Sequence, residues 1–232
     1  MNNNQHSDSP LKLVTSHITA IVDNRDDYIH EQILKIFNHQ NAVTITKYFC
    51  SDDIWNKLHP ALFNVGLALI KANAHRRNYH KLLPDRRKWA EKEINKDTDI
   101  DSQIFSWELG IELESCLTQL KSALDSLAKA FGLFYGFGAS GFSKGKDANG
   151  DIYSGQKIIN SLMNIEASKR LPAETLIQHI ENHKKQLTLF IETRDLFVHP
   201  GKPFLEVVSG FYYDKEKDKL IDPLVGHGKN PQ

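Results

Sequence analysis

The residues best placed to do chemistry lie near the end of the last long helical segment. Ile180, Leu187, Ile191, Arg194 and Val198 follow one another at steps of seven, four, three and four, so Arg194 falls on an apolar stripe, where a merely solubilising arginine is unexpected. His199 follows five residues later, about 7.5 Å along a helix axis and roughly 140° round it. The two side chains need not touch, yet both can border one groove at the edge of a bundle. Pro200-Gly201 ends the helix just past His199, which leaves the imidazole at a helix C-terminus. The helix dipole there favours the protonated ring, so its pKa is expected near neutrality. From spacing alone, a buried arginine paired to an acid, with a histidine as cap, accounts for the same residues.

The segment Arg194-Asp195-Leu196-Phe197-Val198-His199 resembles the R-x4-6-H motif of the HEPN superfamily, in which a polar residue commonly follows the arginine. The run LESCLTQLKSALDSLAKAF at 113–131 is similar to the first core helix of many such domains, and SGQKIINSL closes a loop and short helix of the same look. The resemblance covers roughly 105–202 and implies metal-independent cleavage of RNA, in which the 2′-OH attacks the adjacent phosphate and leaves a 2′,3′-cyclic phosphate. It assigns proton transfer to His199 and phosphate binding to Arg194, with Asp195 orienting one of them. Because two motifs commonly meet across a dimer in such enzymes, a homodimer is expected. The partners implied are RNA and an antitoxin or regulatory protein in a defence or toxin system. The chain departs from toxins paired with a nucleotidyltransferase antitoxin, which often carry a tyrosine two residues after the histidine, where Gly201 stands here. A catalytically silent module of the same kind, binding RNA, a nucleotide or a protein, is the alternative, and a purely structural subunit is a third.

Other residue sets belong to the expected binding surface or fall away. Lys202, Arg76, Arg77 and His183 make up the expected binding set, Arg76 and Arg77 within a basic run from His75 to Lys81 that has Tyr79 as a stacking surface. A solvated helical hairpin balanced by Asp85, Glu91 and Glu93 is the favoured account of that run on charge patterning. His179 and His183 have the i, i+4 spacing of a helical metal pair, but no third ligand follows at a matching interval, so no metal and no cofactor are expected. Glu114 and Asp125, eleven apart on one helical face, are candidate partners for Arg194 if the two long helices pack together. The glycine-rich segment fails as a phosphate loop, since Ser140 and Asp147 stand where Gly and Ser or Thr are required. A flexible loop, serving as a lid over the groove, is expected instead.

These side chains must be positioned by helices. Residues 1–10 read as a disordered tail, 24–38 as a helix and 42–49 as a short strand. Ser51-Asp52-Asp53 caps a helix from near Ile54, which Pro60 bends or restarts and which runs to about Leu82; Pro84-Asp85 opens another through Lys96. The spacing of Leu113, Leu117, Leu120, Leu124, Leu127 and Phe131 predicts a helix over about 102–131. Seven of the 13 glycines interrupt the pattern at 132–155. A shorter helix follows at 156–169, and Pro172 opens the last one. The period then changes, and Phe204–Tyr213 with Leu220–Val225 flank a charged turn. The expected architecture is mostly α, an antiparallel helical bundle over 11–232 as one domain, with a small C-terminal β-hairpin at 203–226.

Composition bounds the partners. Lys and Arg together number 29, as do Asp and Glu, so no global charge draws the chain to nucleic acid or to an anionic membrane, and a basic patch must be local. Cys50 and Cys116 are too few for a disulfide framework and suit a reducing compartment. The N-terminus MNNNQHSDSP lacks the apolar core of a signal peptide, and 61–70 is too short and too interrupted to span a bilayer, so a cytoplasmic protein without membrane partners is expected.

Overall fold

The computed structural model describes residues 51–94, 103–166, 170–198 and 210–222. The expected tail at 1–10, helix at 24–38 and strand at 42–49 lie outside them. Helix α1 spans Asp52–Glu93, 42 residues without a break. Ser51 caps it by accepting from the Ile54 N–H, and Asp52 and Asp53 in the first turn complement the helix dipole. The helix is not restarted at Pro60, and Pro84 does not open a second one. A proline inside a helix frees the carbonyl four residues back and costs roughly 3 kcal/mol. Here both prolines are exposed, as are Asn56 and His80, which carry the freed carbonyls, so water can satisfy them. Buried residues on each side of each proline hold the helix on course: Leu58 and Gly66 around Pro60, and Asn73 and Ala90 around Pro84.

Strand β1 (Gln103–Phe105) and helix α2 (Trp107–Tyr135) come next. Ser106 caps α2 through the Leu109 N–H, and Gly136 ends it in the left-handed conformation at φ 83°. The helix expected from about 102 therefore begins later, because 103–105 is drawn into a sheet. Helices α1 and α2 are antiparallel, as the pairs Arg86–Glu108 and His75–Glu112, both at 2.7 Å, show.

The glycine-rich segment is not a loose loop. It forms the hairpin of β2 (Lys144–Lys146) and β3 (Ile152–Ser154), followed by helix α3 (Gln156–Met163) and the long helix α4 (Arg170–Val198). Helix α3 stops at Asn164, short of the expected 169. Three contacts fasten the hairpin to α4. Lys184 binds Asp147 at 3.2 Å, the Ser154 N–H donates to Thr188 Oγ1 at 2.8 Å, and Lys144 binds Glu192 at 2.7 Å. Residues 184, 188 and 192 recur at one helical turn, so a single flank of α4 receives the whole hairpin.

Strands β4 (Gly210–Asp214) and β5 (Lys219–Ile221) pair around the charged turn as expected. They are joined, however, by β1, in the order β1-β4-β5, all antiparallel. The residues at 203–209 and 223–226 of the expected hairpin lie outside the described ones. Nor is the sheet an appendage. Phe211, wholly buried, packs with Tyr213 and Leu220 against Ala90, Ile94 and Leu109 from the ends of α1 and α2. A second core gathers Ala128, Phe142, Ile158, Ile159, Leu162, Ala173, Ile180 and Ile191 from α2, the glycine-rich segment, α3 and α4. The fold is mostly α, with a small antiparallel sheet.

Candidate functional site

Arg194 lies in the last turns of α4, on the same side of the helix as Leu187 and Ile191, which enter the core beneath it. Its side chain is 20% exposed, and Nη1 donates to Asp195 Oδ1 at 3.1 Å. The Arg194 Nε is buried and has no hydrogen-bond partner among the described residues. The guanidinium is therefore oriented from its own helix by the next residue. His199 and Lys202 lie outside the described residues.

The α2 carboxylates are engaged elsewhere or open to solvent. Asp125 pairs with Lys121, one turn before it, at 2.5 Å, and Glu114 is exposed. The partner that a sealed structural ion pair would supply to Arg194 is thus not Asp125, whose carboxylate is already matched within α2. The hairpin is not a lid over Arg194 either, because Glu192, which anchors it, points about 160° away round the helix. Of the clefts formed by the described residues, two border α3, and Arg194 lines neither. One, of about 490 Å³, is lined by Tyr135, Phe137, Ser161 and Asn164; the other, of about 470 Å³, by Asp147, Gln156, Asn160, Glu181 and Lys184.

The expected binding residues are dispersed. His183 is exposed, and its Nδ1 donates to the His179 carbonyl at 2.8 Å. Arg76 donates through Nε to the buried Asn73, and Arg77 is half-buried; both belong to the α1–α2 pair rather than to α4. In that same pair, burial pushes the Cys116 thiol up, against the opposing charge of Arg76, so the sulfur stays protonated and unreactive at neutral pH.

One cluster has no counterpart among the residues singled out by spacing. Lys184, 17% exposed, bridges Asp147 and Glu181 and lies 4.4 Å from the centre of the Tyr153 ring. Burial alone would raise the Asp147 carboxyl. The hydrogen bonds from Lys184, Asn149 N–H and Asp151 N–H, with the lysine charge, more than reverse this and hold it below the ordinary 3.8. The hydrogen bond to Glu181 chiefly, opposed by desolvation and helped by Asp147, raises Lys184 above 10.5. The signal in the sequence was Asp147-Ala148-Asn149-Gly150, a turn in which the aspartate side chain bonds the backbone two residues on. Its meeting with Lys184 bridges 37 positions, and no local pattern announces it.

Among the described residues no helix is long and apolar enough to cross a membrane. Comparison of the chain with protein-family models, with curated proteins and with solved structures found no match.

Proposed function

We propose that this chain is a metal-independent endoribonuclease of the HEPN type that works as a homodimer, in the cytoplasm and as part of a defence or toxin system. The observation that carries the reading is the state of Arg194. It is a largely buried guanidinium on the apolar side of the last long helix, held by Asp195 rather than locked to Asp125. A structural arginine in that position would be expected to bind a carboxylate of the facing helix. A cation oriented from its own helix remains available for a phosphate. In the proposed reaction a 2′-oxygen bonds to phosphorus while the bond from phosphorus to the 5′-oxygen breaks. His199 takes part in the proton transfers, from the 2′-OH or to the departing oxygen. Arg194 offsets the charge that develops on the phosphate, and Asp195 keeps its guanidinium in place.

A second reading, a helical module without catalysis that docks a protein partner, draws support from one feature. Phe105 at the end of β1 and Trp107 and Ile111 in the first turns of α2 are 50%, 82% and 59% exposed, and exposed large apolar side chains are what a contact surface presents. Cleavage of a mixed RNA substrate in EDTA separates the two. Metal-independent cutting that leaves cyclic phosphate ends, lost in both Arg194→Ala and His199→Ala, is the expected result. An intact substrate with folded, dimeric wild type would replace the ribonuclease with the docking module.

A further inference from the structure

Helix α4 presents a second set of ligand-ready side chains, independent of the ribonuclease reading. His179 and His183 are one helical turn apart and both exposed. Their ring centroids are 4.8 Å apart, with the planes tilted by 39°. The bond from His183 Nδ1 to the His179 carbonyl, at 2.8 Å, decides the tautomer. A carbonyl can only accept, so Nδ1 is the donor, and in the neutral ring the lone pair is then on Nε2. A ring whose other nitrogen donates to a backbone carbonyl is the usual state of an imidazole that binds a metal, because the bond fixes both orientation and basicity.

The ring separation can be tested against coordination geometry. With metal–nitrogen bonds of about 2.0–2.1 Å and ring centres about 1.15 Å beyond the nitrogens, two imidazoles on one ion have centroids roughly 4.5 Å apart at a right angle and about 5.2 Å apart at the tetrahedral angle. The observed 4.8 Å falls between these limits, so the two rings stand at the separation a shared ion requires. The nearest lysine in sequence does not oppose a cation, since Lys184 is turned onto Asp147 and Glu181.

We infer that His179 and His183 form a two-nitrogen chelate for a divalent first-row transition metal, Cu(II) foremost, with water in the remaining positions. The donor set, two imidazoles and water, decides the preference. Zn(II) in structural sites takes four protein ligands, whereas Cu(II) heads the affinity order and accepts two adjacent imidazoles with waters in a tetragonal set.

The full chain, titrated with copper sulfate or zinc sulfate at pH 7.5 in a buffer that does not bind metals, tests the assignment by calorimetry and by electron paramagnetic resonance. The wild type is expected to take up one Cu(II) more tightly than Zn(II), with a spectrum split by two nitrogens. Loss of even an outer partner of a ligand weakens metal binding about 10–100-fold, so His179→Ala and His183→Ala should each weaken it at least about tenfold. Both residues are exposed, so unchanged helical circular dichroism checks that the variants fold. The half-buried His59 supplies the control, and His59→Ala should bind copper as the wild type does. Equal copper affinity in wild type and both α4 variants, or a wild-type spectrum with a single nitrogen, would overturn the assignment. RNA cleavage is read in EDTA, with no metal present, and copper uptake is read without RNA, so the two ideas fail separately.

Discussion

Arg194 and Asp195 are neighbours in sequence, yet helical geometry separates their directions by about 100°, and only the length of the arginine lets Nη1 reach back to Oδ1 at 3.1 Å. The pair joins adjacent residues of one helix turn, so it ties no distant segments of the chain together. Asp195→Asn is therefore expected to leave the thermal midpoint nearly unchanged. Cleavage should fall about tenfold to a hundredfold, because a displaced guanidinium no longer meets the phosphate. A full loss of fold would instead make Asp195 a structural residue. Asp147 behaves differently. Its carboxyl is held below 3.8, so the folded state binds its proton less readily than the unfolded chain does. The stability it supplies is present above the ordinary carboxylate value and disappears as pH falls through the lower folded one. Urea denaturation of wild type and Asp147→Asn should differ at pH 7, and the gap should begin to shrink only as pH falls below the ordinary aspartate value of about 4; a gap that stays constant on further acidification would exclude the linkage.

Among the elements, α1 shows most clearly how packing overrides local preference. Pro60 and Pro84 both lie inside it, and local rules would break the helix at each. Residues buried on both sides of each proline, Leu58 and Gly66 around the first and Asn73 and Ala90 around the second, hold the 42 residues in one element. Because Pro84 is exposed, Pro84→Ala should restore the hydrogen bond to the His80 carbonyl and stabilise the protein by about 1–3 kcal/mol, the lower end reflecting a more flexible unfolded chain. Chemical denaturation measures this directly, and a loss of stability would reveal a constraint that the proline imposes. In the hairpin, three anchors at 184, 188 and 192 fix β2 and β3 to α4, so a segment with many glycines becomes a wall of the second core.

For the molecule as a whole, α2 is the shared member. Its Leu109 enters the core with the sheet, and its Ala128 enters the core with α3 and α4. Phe211→Ala, in the first, should cost about 3–5 kcal/mol, and Ile159→Ala, in the second, about 2–5 kcal/mol. Since one continuous helix links the cores, each substitution should lower the same single unfolding transition. Two separable transitions in calorimetry would show that the cores melt independently.

The amino-acid sequence by itself determined the helical class, the cap at Ser51, the stripe along α2, the last helix and the charged turn between β4 and β5. Each rests on periodicity or on turn chemistry within a few residues. Position 194 on the apolar side of α4 was legible for the same reason. Contacts between distant segments were not. The continuity of α1 through two prolines depends on a partner helix, and β1 is a strand only because Gly210 and Phe211 arrive to pair with it. The hairpin at 144–154 is fixed by side chains of α4, and Asp125 is claimed by Lys121 rather than by Arg194. Those choices are settled by burial and by hydrogen bonds formed across the chain, and short-range spacing carries no record of either.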